Sequence, residues 1–83
     1  MNKYHARRTY SEAVGRWFAS KAEATRGEQL RLMELAGEIH GLMYQPSWIL
    51  NDKPKVVYSA DFAYGLGPQA PGLSPLIVED VKG

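Results

Sequence analysis

Two stretches decide the fold: VVYSADFAY at residues 56–64 and LIVEDVK at residues 76–82. The first is built from β-branched, small and aromatic residues, which favour a strand over a helix, and Asp61 interrupts it. The second reads as a short strand whose side chains alternate between two faces. Alternation puts Asp80 and Lys82 on one face with Leu76 and Val78, and Glu79 on the other with Ile77 and Val81. If the strands pair, one register sets Asp61 beside Asp80, with Lys82 one step further along.

Two carboxylates crowded on a sheet raise each other's pKa unless a cation joins them. Oxygen-only ligands suit hard Mg²⁺ or Mn²⁺, which keep several waters and bridge to a phosphate. An ammonium such as that of Lys82 would then stabilise charge developing on the phosphate or hold an attacking water. The competing reading is structural: alternating charge at a strand end also discourages edge-to-edge aggregation.

Upstream, residues 39–50 are expected to form the first strand of the same sheet, bent at Gln45-Pro46 because proline cannot donate to a ladder. Asn51-Asp52-Lys53-Pro54 is a turn, and the Gly- and Pro-rich residues 65–75 are a loop that leaves the register of the last strand loosely set. His40 has no second histidine or cysteine at ligand spacing and reads as a surface or half-buried residue.

Further back, Ser20-Lys21-Ala22-Glu23 is a capping box. It predicts a helix running to Ala36, stopped by Gly37. Ala22, Leu30, Leu32, Met33 and Ala36 fall on one broad face expected to pack on the sheet. Gly27 costs about 1 kcal/mol in mid-helix against alanine, which suggests a close approach by another backbone. Glu23 lies at the margin of the apolar stripe, so two readings stand: it completes the cap, or it passes the sheet edge toward the carboxylates. Thr9 to Phe18 predicts a hairpin with Gly15 near its turn, a helix from Ser11 through Ala24 being the competing reading. Residues 1–8 lack periodicity and are expected to be a flexible basic arm.

Composition bounds the rest. A chain of 83 residues is a small single domain that buries only about 60 to 65 % of its unfolded surface, so help from a partner or metal matters. The absence of cysteine excludes disulfides and thiolate metal sites and fits a reducing, cytoplasmic interior. No run approaches the roughly 18 apolar residues of a membrane span, and the basic start is followed by no secretory apolar segment. The net charge of +1 conceals an asymmetry, with +4 over residues 1–31 and −3 over residues 32–83. A basic front end joined to an acidic site suits a protein that binds a polyanion through one part and a metal through the other, although a solvated basic tail has the same composition.

The order helix with Glu23, strand, strand with Ala60-Asp61-Phe62, then Asp80-Val81-Lys82 resembles the PD-(D/E)XK nuclease core. Asn2 to Ala6, Ser20 to Ala24, Gln45-Pro46, Ala60-Asp61-Phe62 and Val78 to Gly83 together are similar to a family of small phage and prophage proteins. That family, once a domain of unknown function, is grouped with phage endonucleases and Holliday-junction-resolving enzymes. The resemblance implies that Asp61 and Asp80 are the motif carboxylates, Lys82 the motif lysine, Glu23 the additional helical carboxylate and Gln45 a supporting polar residue. It implies Asp61, Asp80 and Glu23 as metal ligands, Mg²⁺ or Mn²⁺ as cofactor, DNA as substrate, and a phage- or prophage-encoded protein in the bacterial cytoplasm. Ala60 stands where the name-giving proline would be. Since the core is αβββαβ and the chain stops one residue after Lys82, residues 1–83 are expected to be one nuclease-like domain lacking the last helix and strand.

The expected architecture is therefore α+β: an N-terminal hairpin, one capped helix and a three-stranded, mostly antiparallel sheet. Lys3, Arg7, Arg8 and Arg16 are expected to contact phosphates, in a salt-sensitive way that carries no base information. Open sheet edges on a short chain make a homodimer the expected assembly. A non-catalytic module binding nucleic acid or protein is the alternative.

Overall fold

A computed structural model describes residues 7–68 and 75–82. The chain runs β1 (Thr9–Ser11), β2 (Arg16–Phe18), α1 (Lys21–Leu35), β3 (Ile39–Tyr44), β4 (Ser47–Asp52), β5 (Lys55–Ser59), β6 (Phe62–Leu66) and β7 (Leu76–Glu79). The class is α+β, with one helix and antiparallel sheets. No helix among the described residues is long and apolar enough to cross a membrane.

The predicted hairpin forms, and the helical alternative over residues 11–24 does not. Tyr10 faces Trp17 across the antiparallel pair, Gly15 takes φ +83°, and its N–H donates to the Ser11 carbonyl at 2.7 Å. The Ser11 hydroxyl donates to Glu28 at 2.7 Å and accepts from the Val14 N–H at 3.1 Å, tying the turn to the helix.

Helix α1 has the predicted ends. The Ser20 hydroxyl oxygen accepts from the Glu23 N–H at 3.1 Å. At the other end Gly37 sits at φ +78°, its N–H bonded to the Glu34 carbonyl, while the Glu38 N–H reaches the Met33 carbonyl. That crossed pair is a Schellman stop, which satisfies two carbonyls the helix cannot use.

The buried face of α1 differs from the expected one. Glu23, Ala24, Gly27 and Leu30 face inward, whereas Ala22, Leu32 and Ala36 are exposed. The cause lies at Gly27. A Cβ built there would stand 2.7 Å from Phe18 Cζ and 3.3 Å from Phe62 Cε1, so two aromatic rings occupy the space a side chain would take. What approaches Gly27 is thus ring carbon and not another backbone. Small residues at 24 and 27 admit the rings, and the larger Leu32 is turned outward.

The sheet has three antiparallel strands in the order β3-β6-β7, but the strands are not the ones expected. The single strand predicted over 39–50 is divided at Gln45-Pro46, where Gln45 takes φ +52°, and the strand predicted over 56–64 is divided opposite it at Ala60-Asp61. The outer halves, β4 and β5, form a separate two-stranded ribbon. Pairing nevertheless continues through the corner: the Gln45 N–H donates to the Asp61 carbonyl at 2.8 Å and the Ala60 N–H to the Pro46 carbonyl at 3.1 Å. Proline ends one ladder, and its partner strand bends with it.

Strands β6 and β7 pair Phe62 with Glu79 and Gly65 with Leu76. Gly65 and Leu66, expected in the loop, extend β6. The His40 ring lies over Gly65 on the neighbouring strand, its Nδ1 2.9 Å from the Gly67 carbonyl oxygen, so the histidine is half-buried as expected.

The core gathers Phe18, Ala24, Leu30, Ile39, Phe62 and Tyr64, flanked by Val14, Met33, Leu42, Tyr44, Ile77 and Val81. Phe18, Tyr44 and Phe62 form a triangle with ring centroids 6.0 to 6.2 Å apart. Tilted and edge-on pairs of this kind contribute about 0.5 to 1.5 kcal/mol each beyond area burial. This triangle fixes the helix against the corner where the sheet bends.

Candidate functional site

The bend brings four of the sequence-predicted residues to one corner. Asp61 is the residue before β6, and the β6–β7 register continued one step sets it opposite Asp80. Three bonds lock that juxtaposition. The Asp61 N–H donates to the Glu79 carbonyl at 3.1 Å and to Asp80 Oδ1 at 3.3 Å, while Asp61 Oδ2 accepts from the Val81 N–H at 2.7 Å. The predicted neighbour relation of Asp61 and Asp80 is therefore present.

Glu23 approaches from the first turn of α1. Its backbone N–H serves the Ser20 cap, but its carboxylate turns to the site and accepts from the Gln45 side-chain amide at 3.3 Å. The Ser20 half of the capping box forms through the Glu23 main chain, and the Glu23 side chain lies toward Gln45 and Asp61. The residue is 5 % exposed. Burial pushes its pKa above the ordinary carboxylate value, and the negative charge of Asp61 pushes it further the same way, against a smaller opposing effect of the Gln45 amide. Gln45 reaches this position through the left-handed backbone at the strand break. Bend and site share one cause.

The strand expected over residues 76–82 ends at Glu79, so Asp80 and Lys82 lie just past β7, and both are exposed. Ile77, Glu79 and Val81 are the half-buried members of the same segment. Among the described residues no group of three His, Cys, Asp or Glu is drawn together closely enough to hold an ion. Glu23, Asp61 and Asp80 meet in pairs around Asp61. The donors are all hard oxygens, and one is buried beside a like charge, a combination that a divalent cation relieves. On donor chemistry the residues fit Mg²⁺ or Mn²⁺.

Glu79, placed by alternation on the opposite face, has a different role. Arg26 grips it with Nε at 2.9 Å and Nη2 at 2.7 Å, and the Tyr64 hydroxyl donates to the same carboxylate. The guanidinium holds Glu79 below the ordinary carboxylate range. Burial, then the hydrogen bond to Glu79, raise the Tyr64 phenol. Sequence reading missed this triad because its members lie on α1, β6 and β7. The available signal was an arginine three residues after Glu23, one helical turn along.

The expected phosphate contacts scatter over the front of the molecule. Arg7 and Arg8 are exposed, with the Arg8 guanidinium 5.2 Å from the centre of the Trp17 ring. Arg16 is half-buried and lies over Tyr44 at 4.6 Å. Lys3 and most of the expected arm lie outside the described residues.

No match exists among curated proteins, and none among solved structures. A family model described as a protein of unknown function, DUF1064, matches residues 1–83, and the chain belongs to that family.

Proposed function

We propose that this protein is a metal-dependent DNA endonuclease of the PD-(D/E)XK type, acting as a phage- or prophage-encoded enzyme in the bacterial cytoplasm. The observation that carries the reading is the corner itself: Asp61 beside Asp80, Glu23 buried against Asp61, and Lys82 two residues beyond Asp80. Glu23, Asp61 and Asp80 would hold Mg²⁺ or Mn²⁺. Such an ion, when bound, supplies a water of lowered pKa and neutralises phosphate charge. Gln45 orients Glu23 through its amide. Lys82 stabilises negative charge on the phosphate oxygens, and Arg7, Arg8 and Arg16 hold the backbone on either side. The edges of the three-stranded sheet, β3 and β7, offer a place for a second copy, so that two sites would serve two strands.

One observation favours a second reading, a non-catalytic binding module. The Asp61 and Asp80 carboxylates each accept a main-chain N–H across the strand pair, which is a structural use of both. Nicking of supercoiled plasmid separates the readings. Cleavage that needs Mg²⁺ or Mn²⁺, stops in EDTA and falls at least about 100-fold in Asp61→Asn and Asp80→Asn is expected of the nuclease. Asparagine keeps an oxygen acceptor for the main-chain bond, so the loss reports charge and not folding. Equal activity in the variants would remove these residues from the site, and no cutting by a folded, DNA-binding protein would favour the second reading.

A further inference from the structure

The outer face of the β1–β2 hairpin carries an aromatic surface that the carboxylate corner does not use. Tyr10 and Trp17 are cross-strand partners, their ring centroids 5.3 Å apart, on the face opposite buried Ser11 and Phe18. Cross-strand pairing accounts for the contact between the rings and stabilises such a hairpin by about 0.2 to 1 kcal/mol. It does not account for their exposure. Trp17 is 53 % and Tyr10 47 % accessible, although Phe18, the next residue, is fully buried.

One edge of these rings is basic: Arg8 lies over Trp17 and Arg7 beside it is exposed, whereas Arg16, on the core side of β2, lies over Tyr44 and Phe18. The Arg8 guanidinium carbon lies 5.2 Å from the centre of the Trp17 ring, a cation–π distance at which its N–H groups can also meet an anion. An exposed indole and phenol with the Arg8 guanidinium over the indole match the two recurring parts of a single strand, flat bases and phosphates. Base faces are covered inside a duplex, so this surface suits unpaired nucleotides.

We propose that the outer face of this hairpin is a stacking site for single-stranded polynucleotide, with a base on Trp17 and a neighbouring phosphate on Arg8. The proposal names the form of strand the endonuclease would engage, and in that sense rests on the nuclease reading. The hairpin is also coupled to the corner: Phe18, on β2, packs against Phe62 at 6.2 Å, and Phe62 follows Asp61 in the chain. A strand held on Trp17 is thereby held relative to the carboxylates.

The test is read in EDTA, where no cleavage occurs. The chain has two tryptophans, and Trp48 stacks on Tyr58 in the separate β4–β5 ribbon, so Trp48→Phe leaves Trp17 as the sole indole reporter. Oligothymidylate and oligouridylate of about 12 nucleotides, within the span that one small domain covers, are compared with a duplex of equal length. The expected result is quenching of Trp17 by a single strand, with DNA and RNA arms showing which sugar is preferred. Fluorescence anisotropy of labelled strand should show Trp17→Ala binding about 5- to 100-fold more weakly, the range that loss of one base stack produces. Trp17→Phe should retain most of the affinity, which separates stacking from misfolding. Arg8→Ala should flatten the salt dependence by about 0.7 in log–log slope, one phosphate contact on a single strand.

Duplex bound more tightly than single strand, unquenched Trp17 in a saturated complex, or Trp17→Ala within about twofold of the parent in a folded protein would each overturn the proposal. Stacking without any metal-dependent nicking would sustain it and remove the nuclease reading. Nicking without stacking would do the reverse.

Discussion

Gly27→Ala is a substitution for which helix propensity and packing predict opposite signs. In an exposed helix the change stabilises by about 1 kcal/mol, because glycine has more backbone freedom to lose on folding. Here the added Cβ meets Phe18 Cζ at 2.7 Å and Phe18 Cε1 at 3.0 Å, closer than carbon atoms approach. A ring at the surface would swing aside. Phe18 is 1 % exposed and wedged against Tyr44 and Phe62, and Phe62 is fully buried. Nor can the helix lift easily, since Arg26 is clamped to Glu79 and Glu28 is bonded to Ser11 on either side of the glycine. Overpacking of this kind costs about 1 to 3 kcal/mol. Set against the propensity gain, the net effect is a loss of about 0 to 2 kcal/mol.

Urea denaturation followed by circular dichroism measures that loss, and a thermal melt should fall by about 4 to 8 °C for each kcal/mol in a domain of this size. A double-mutant cycle with Phe18→Leu isolates the cause, because the shorter side chain vacates the space the Cβ needs. In the Phe18→Leu background, Gly27→Ala should become neutral or stabilising by up to about 1 kcal/mol. A single Gly27→Ala variant more stable than the parent by that amount would refute the packing argument.

Arg26→Ala should destabilise by about 1 to 3 kcal/mol, since it strips two charge-assisted bonds from a half-buried carboxylate. Because Arg26 depresses the Glu79 pKa, the associated stability is present above the unfolded carboxylate value near 4.5 and is lost as pH falls through the folded value; urea midpoints of Glu79→Gln should show a weaker acid dependence. Glu23 has the opposite sign. Its pKa is raised, so its contribution is full below the unfolded value and is lost as pH rises through the folded one, and Glu23→Gln should melt higher than the parent at pH 7 in EDTA but not in acid. Millimolar Mg²⁺ should raise the parent's melting temperature and leave Glu23→Gln unmoved; an equal rise in both would exclude Glu23 as a ligand.

The elements most legible in the sequence were those whose signals are local. Gly15 at the hairpin turn, Ser20 at the helix start and Gly37 at its stop each act on backbone groups within a few residues, and each is where it was read. The inward face of α1 was legible only in part, at Leu30 and Met33. Leu32 looked like core and Gly27 like a weakness, but which face turns inward is decided by Phe18 and Phe62, rings contributed by two other elements. The break in the long hairpin shows both cases. Pro46 announces it on one strand, whereas Ala60-Asp61 carries no breaking residue and bends because its partner does. The Asp61–Asp80 relation was legible because period-two alternation carries across a paired register.

What alternation could not reveal is how Glu79 and Asp80, adjacent acids, are treated differently. Arg26 lies one turn after Glu23 on α1, a spacing at which the two could pair along the helix. It is instead committed to Glu79 with both forks of its guanidinium, reinforced by the Tyr64 hydroxyl. The Glu23 carboxylate meets the like charge of Asp61, the neutral amide of Gln45 and the Ala19 main chain. A corner organised only for stability would gain by the exchange, since a buried carboxylate beside another is costly and a half-buried one is less so. The fold places its nearby guanidinium on the less buried acid. The proposed cation would relieve that arrangement, so the Mg²⁺ dependence of stability tests the site as directly as cleavage does.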